Sequence, residues 1–122
     1  MKLHAHAPSG RNTFTGYGEG WYALNGERRA ASLIVFPDRI LDWPVDGFDA
    51  LRAEDFAVLA EAQPEIVLLG TGARQRFPHP RLTMALAQAR IGLEVMDLPA
   101  ACRTYNILMA EERRVAAALL VA

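Results

Sequence analysis

The spacing of hydrophobic and polar positions changes character halfway along the chain. From Thr13 to Trp43, apolar residues come in short runs cut by turn residues. Thr13-Phe14-Thr15-Gly16-Tyr17 alternates, Gly18-Glu19-Gly20 turns, and Trp21-Tyr22-Ala23-Leu24 continues. Asn25-Gly26 marks a two-residue hairpin, because both turn positions favour positive φ. The stretch from Arg28 to Phe36 runs into a buried strand over Ser32 to Phe36. Pro37-Asp38 turns, Arg39 to Trp43 is a further short strand, and Pro44 to Asp49 is a loop.

The second half reads with a helical period between short apolar runs. Glu54 to Gln63 is a helix with Phe56, Leu59 and Ala60 on one face, stopped by Pro64. Ile66 to Leu69 is apolar without alternation, as for a central strand covered on both faces. A loop from Gly70 to His79 follows. Pro80 opens a helix with Leu82, Ala85, Leu86 and Ala89 in phase, and Gly92 ends it. Leu93 to Met96 is the next strand, and a helix runs from Pro99 to about Met109. The tail from Arg113 to Val121 stays open. Its Ala and Leu favour helix by propensity, while the Glu111-Glu112-Arg113 break fits a turn into a last strand.

Two parallel strands around a helix make a βαβ unit with a right-handed crossover. The expected fold class is therefore α/β, with a mixed sheet, an antiparallel N-terminal β-region and about three helices. Residues 1–122 make one domain by size, with residues 1–12 expected as a flexible N-terminal segment.

Composition narrows the function classes. A formal charge of −1 with both signs interspersed argues against a sequence-independent nucleic-acid binder. No stretch is long and apolar enough for membrane insertion. The single cysteine, Cys102, leaves no internal disulfide and suits a reducing compartment. Met1 to Pro8 reads as neither a secretory signal nor a transit peptide, so the expected location is cytoplasmic. Heavy use of Ala and Arg suits a bacterium with a GC-rich genome.

The candidate chemistry centres on Gly70-Thr71-Gly72, where a buried strand opens into a long loop. In open α/β sheets ligands bind at such strand ends. The dinucleotide fingerprint would need glycine where Gln75 stands, and the Gly-Lys-Ser/Thr of a P-loop is absent. Arg74 and Arg76 beside exposed backbone amides would suit an anion; equally, the glycines could serve only a tight exit from the sheet. Thr104, Tyr105 and Asn106 put polar groups on one helical turn that could line the same crevice. Cys102 lies in the first turn of its helix beside Arg103, which would lower a thiol pKa. No histidine stands near to act as its base, and a small buried hydrophobe is the other reading. His4-x-His6 has metal-ligand spacing but no third ligand, and His79 has no evident partner. The sequence thus nominates no catalytic residue, no metal set and no cofactor.

One ordered set of motifs carries a family resemblance. It consists of Gly70-Thr71-Gly72, Pro78, Ile91-Gly92-Leu93-Glu94-Val95-Met96, Ala100 to Leu108, and Glu111-x-Arg113-Arg114-Val115-Ala116-Ala117-Ala118-Leu119. In that order and spacing they resemble the domain of unknown function 498 family, whose best-known member is a mitochondrial NADH dehydrogenase (complex I) assembly factor. The resemblance covers Thr13 to Leu120. It implies a three-layer α/β domain and makes Arg114 to Leu120 a strand. The chain departs from the family at Glu112, where glycine is common. The family supplies no accepted catalytic residue.

Two functions follow as expectations. The first is a protein-interaction module assisting assembly of a respiratory or membrane complex, with Trp21, Tyr22 and Trp43 as candidates for an exposed docking patch. The second is a small-molecule or anion-binding domain, an enzyme included, at Gly70, Thr71, Gly72 and Arg74 with Thr104, Tyr105 and Asn106. A homo-oligomer with the glycine turn at its interface is a third.

Overall fold

The computed structural model describes residues 10–122. The chain opens with a three-stranded antiparallel sheet of Phe14–Gly18 (β1), Trp21–Leu24 (β2) and Glu27–Arg29 (β3). Asn25 and Gly26 close the second hairpin at φ 54° and 83°, the conformation that dipeptide favours. The run expected from Arg28 to Phe36 is broken at Ala30-Ala31, because the chain there leaves one sheet for another. The Tyr22 hydroxyl donates to the Ala31 carbonyl at 2.7 Å and fixes the crossover. Leu33–Phe36 (β4) and Arg39–Asp42 (β5) form a hairpin in the second sheet.

A 3₁₀ turn at Ala53–Phe56 leads into Ala57–Ala62 (α1), which ends on Gln63 in the left-handed conformation before Pro64. Then come Ile66–Thr71 (β6), Met84–Gln88 (α2), Gly92–Met96 (β7), Leu98–Ala110 (α3) and Val115–Leu120 (β8). The five-stranded sheet has the order β5-β4-β8-β6-β7. Strand β6 is parallel to β7 and β8, whereas β4 runs antiparallel to β5 and β8. The result is the expected α/β fold with a mixed sheet.

Strand alternation sorts the sheet into two apolar faces. Leu33, Val35, Leu68, Val115, Ala117 and Leu119 join the core with α3, Phe14, Tyr22 and Leu24. Ile34, Phe36, Val67, Leu69, Ala116, Ala118 and Leu120 join the core with Trp43, Phe56, Leu59 and Leu86. The Ala-rich tail is therefore a strand against its propensity. Filling the slot between β4 and β6 buries all six of its residues, and tertiary burial outweighs tenths of a kcal/mol per residue of helix preference.

The helix expected from Pro80 to Gly92 is shorter and interrupted. Pro80–Leu82 is a 3₁₀ turn, α2 occupies five residues, and Arg90 at φ 59° ends the excursion. Ile91 must turn inward, its amide donating to the Leu86 carbonyl at 2.9 Å. Gly92 consequently opens β7 instead of capping a helix. Helix α3 begins as a capped helix should, with Asp97 Oδ1 accepting from the Ala100 amide at 2.8 Å and Pro99 in the first turn.

Polar bonds lock α3 onto the N-terminal sheet. Asn106 Oδ1 accepts from the Phe14 amide at 2.9 Å and the Thr13 hydroxyl at 3.1 Å, and its Nδ2 donates to the Phe14 carbonyl at 2.8 Å. The Tyr105 hydroxyl donates to the Asn12 carbonyl at 3.0 Å, and its ring meets Phe14 edge-on at 5.0 Å. Asn12 is tied further by bonds to Phe36 and Pro37, and Arg11 donates to the Met109 carbonyl. Residues 1–9 of the expected flexible segment lie outside the described residues.

Three consequences can be measured. Asn106→Ala leaves backbone groups of β1 without partners and should lower unfolding free energy by about 2 kcal/mol in urea titrations, while Thr104→Ala, half-buried on the same turn, should change it by less than about 0.5 kcal/mol. Glu112 holds φ 63°, a conformation that costs a non-glycine residue about 1 kcal/mol. Its ion pair with Arg11 is long, at 3.7 Å, and exposed, so Glu112→Gly should raise stability by about 1 kcal/mol. Burial pushes the Cys102 thiol up to about 12, against a smaller lowering by Arg103. A disulfide reagent at neutral pH should therefore leave native protein unlabelled and label one thiol per chain on unfolding; rapid native labelling would contradict the buried assignment.

Candidate functional site

At the carboxyl ends of β6 and β8, the glycine turn meets the start of α3. Gly70 lies within β6, two positions before the turn at Gly72. A Cβ there would stand 2.9 Å from the Leu119 side chain and 3.1 Å from Ala101 Cβ, so glycine sets how closely α3 sits on the sheet. Thr71 is buried, and its hydroxyl organises the following loop: it donates to the Arg74 carbonyl at 2.7 Å and accepts from the Arg76 amide at 3.0 Å. Gly72 has φ 81°, and its carbonyl accepts from the Leu98 amide at 2.7 Å. All three residues thus have structural employment, the tight exit from the sheet that the glycines equally suggested.

Beside Gly72 lies a hollow of about 320 Å³ whose wall includes Tyr17, Glu19, Gly72, Leu98, Pro99 and Val121. Arg103 of α3 donates to the Tyr17 hydroxyl at 2.8 Å, which steadies one wall. The lining has one carboxylate, Glu19, and no cation, so its chemistry is unlike the anion site that Arg74 and Arg76 suggested. Arg76 instead bonds Asp49 at 2.8 Å and lies over the Phe48 ring. Arg74 is exposed, with its side chain outside the hollow's lining.

The structure does not bring Thr104, Tyr105 and Asn106 to this hollow. They sit six to eight residues beyond Leu98 along α3, about 10 Å along the axis. Tyr105 and Asn106 are engaged with β1 and the segment before it. Cys102 is enclosed between α3 and the sheet. His79 Nδ1 accepts from the Arg81 amide at 3.1 Å and caps the 3₁₀ turn. Among the described residues, no three of His, Cys, Asp and Glu gather as a metal set; His4 and His6 lie outside the described residues. Of the aromatic candidates, Tyr22 and Trp43 are buried, the latter with its indole N–H donating to the Asp55 carbonyl at 2.9 Å. Trp21 stays half-exposed under the Arg28 guanidinium.

A larger cleft, about 400 Å³, opens at the opposite end of the sheet. Arg11, Arg39, Arg113 and Arg114 line it together with Asp38 and Glu112. These residues come from three separated places in the chain, so no single local motif announces the cleft. Their charges are largely answered in place. Arg113 bonds Glu65 through two nitrogens and holds that carboxyl below its usual range. Arg11 and Arg114 donate to the Met109 and Gln63 carbonyls near the ends of α3 and α1. Arginines at helix carboxyl ends stabilise them, which accounts for both without a ligand.

Among the described residues, no helix is long and apolar enough to cross a membrane. Comparison with known proteins agrees with the geometry. A protein of Danio rerio named NADH dehydrogenase (ubiquinone) 1 alpha subcomplex assembly factor 3 is 36% identical over 106 residues, covering 85% of this chain and 61% of that protein. The chain spans about three fifths of the length of the assembly-factor relatives it matches. A crystal structure of a Bordetella parapertussis protein superposes with a TM-score of 0.87 at 40% identity, covering 94% of this chain and 100% of that one. A Xanthomonas campestris structure determined by NMR gives 0.83 at 34% identity, covering 99% and 92%. The family described as protein of unknown function (DUF498/DUF598) matches residues 14–120, and the chain belongs to that family.

Proposed function

We propose that this chain is a protein-interaction module that assists assembly of a respiratory NADH dehydrogenase, acting from the cytoplasm. The observation that carries the reading is the alignment of 85% of the chain with a protein named as an assembly factor for that enzyme. The family match spans residues 14–120, which takes in both cores and the Thr71 clasp. The relatives named as assembly factors are longer, and the reading concerns the shared domain.

Geometry supports the same direction. The turn residues that suggested ligand chemistry are engaged in holding α3 and the loop, and surface is what remains available. Phe77 and Met84 stand exposed on the excursion between β6 and β7, two of the three exposed large apolar groups among the described residues. A small-molecule reading keeps one observation in its favour, the hollow beside Gly72, whose lining suits an uncharged, largely apolar ligand.

The test is deletion of the gene in its source organism, with assembled NADH dehydrogenase quantified on native gels. The assembly reading expects a severalfold loss of assembled enzyme, restored by the wild-type chain. Undiminished enzyme in the deletion strain would overturn it.

A further inference from the structure

The arginines fall into two groups once their partners are considered. Arg11, Arg29, Arg39, Arg52, Arg76 and Arg113 each stand beside a carboxylate. Arg28 lies over Trp21, Arg103 donates to Tyr17, and Arg114 donates to a backbone carbonyl. Among the described residues, Arg74, Arg81 and Arg90 have no side-chain partner. All three lie between Gly72 and Leu93, a stretch with four arginines and no Asp or Glu. A chain of net charge −1 therefore carries −5 elsewhere. The same stretch holds two of the three exposed large apolar side chains among the described residues, Phe77 at 70% and Met84 at 52%.

This surface is held in shape. The Thr71 hydroxyl fixes Arg74 and Arg76 by their backbones, and Gln75 Nε2 donates to the Val95 carbonyl at 2.8 Å. Leu86 is buried and Leu82 half-buried, which anchors α2 and the turn before it. Arg74, Phe77, Arg81 and Met84 are left exposed. Arg76 is drawn to the rim by Asp49.

We propose that residues 74–84 are the docking face of the module for a partner protein whose contacting surface carries carboxylates around an apolar pocket that receives Phe77. The inference rests on the interaction reading above and names the partner's chemistry. Guanidinium forks match carboxylates bidentately, and those of Arg74 and Arg81 here are uncommitted. Arg, Phe and Met are the residues enriched where protein interfaces bury their centres. An anionic bilayer fits less well, because α2 has five residues and membrane-surface binding uses a longer amphipathic helix.

The experiment uses the tagged full chain in its source organism, with a photo-crosslinking residue at position 77 or at position 107. Ile107 is 59% exposed but lies on α3, across the central sheet from α2. The expected result is a protein adduct from position 77 whose crosslinked peptide is rich in Asp and Glu. Arg74→Glu with Arg81→Glu should reduce its yield at least tenfold without changing the melting temperature. An adduct from position 107 alone, or full complementation of the deletion strain by the double variant, overturns the docking face and leaves the assembly reading standing. An adduct of position 77 with lipid, with a second copy of this chain, or with a peptide lacking carboxylates also overturns it. Absence of protein adducts from both positions counts against both readings.

Discussion

Strand β8 hydrogen-bonds to β4 on one side and to β6 on the other, and this double pairing joins the two halves of the fold. The antiparallel hairpin of β4 and β5 has its own turn, and the parallel pair of β6 and β7 has its own crossover. Neither half could bury both its faces without the strand between them. The residues that fill this place are small in the middle and larger at the end, Val115-Ala116-Ala117-Ala118-Leu119-Leu120. Alanines allow layers to approach on both faces, and Leu119 and Leu120 then occupy opposite cores. Close approach explains why Gly70, beside Leu119 in the register, carries no side chain.

From that constraint the geometry of the glycine turn follows. Helix α3 must cross β6 to deliver the chain from β7 to β8, so its first turn comes down on the end of β6. Gly70 gives it room, and the Gly72 carbonyl receives the Leu98 amide. Tyr105 and Asn106 fasten the other end of the helix to the N-terminal segment and β1. The two groups of polar and glycine residues that looked like one crevice in the sequence are fasteners at two ends of one helix. Helical spacing could show that Thr104, Tyr105 and Asn106 lie on one turn. It could not show how far along α3 the sheet's carboxyl end would fall.

Local chemistry made much of the architecture legible. Asn25-Gly26 specified its hairpin, the unalternating Ile66 to Leu69 specified a doubly covered strand, and Pro99 marked the start of α3. What was illegible depended on distant partners. Ala116-Ala117-Ala118 favours helix by propensity and the Glu111-Glu112-Arg113 break favours a last strand, and only the family resemblance decided between them before β4 and β6 are seen to surround it. Arg90 ends the excursion after α2 in place of Gly92 because Ile91 has to enter the core, a long-range demand. Glu112 shows the reverse case. The family's common glycine there has a physical cause, the positive φ that reverses the chain after α3, and this chain meets the demand with a strained glutamate.

Charge segregation was also present in the sequence, but it acquires meaning only with the fold. A count of arginines from Gly72 to Leu93 cannot distinguish cations paired with distant carboxylates from cations left free. Asp49 answers Arg76, and Glu65 answers Arg113 across 48 residues; comparable partners do not reach Arg74, Arg81 or Arg90 among the described residues. Side chains with long stems and five donors lose considerable entropy when fixed, so leaving them solvated costs the isolated domain little. The placing of Arg74 and Arg81 within four residues of Phe77 on either side is more specific than solubility requires, since solubility is served by interspersed charge of both signs. The chain uses that interspersed pattern over most of its surface and abandons it on the segment that links β6 to β7. A rigid scaffold with an unanswered charge on one segment gains most by meeting a partner that answers it.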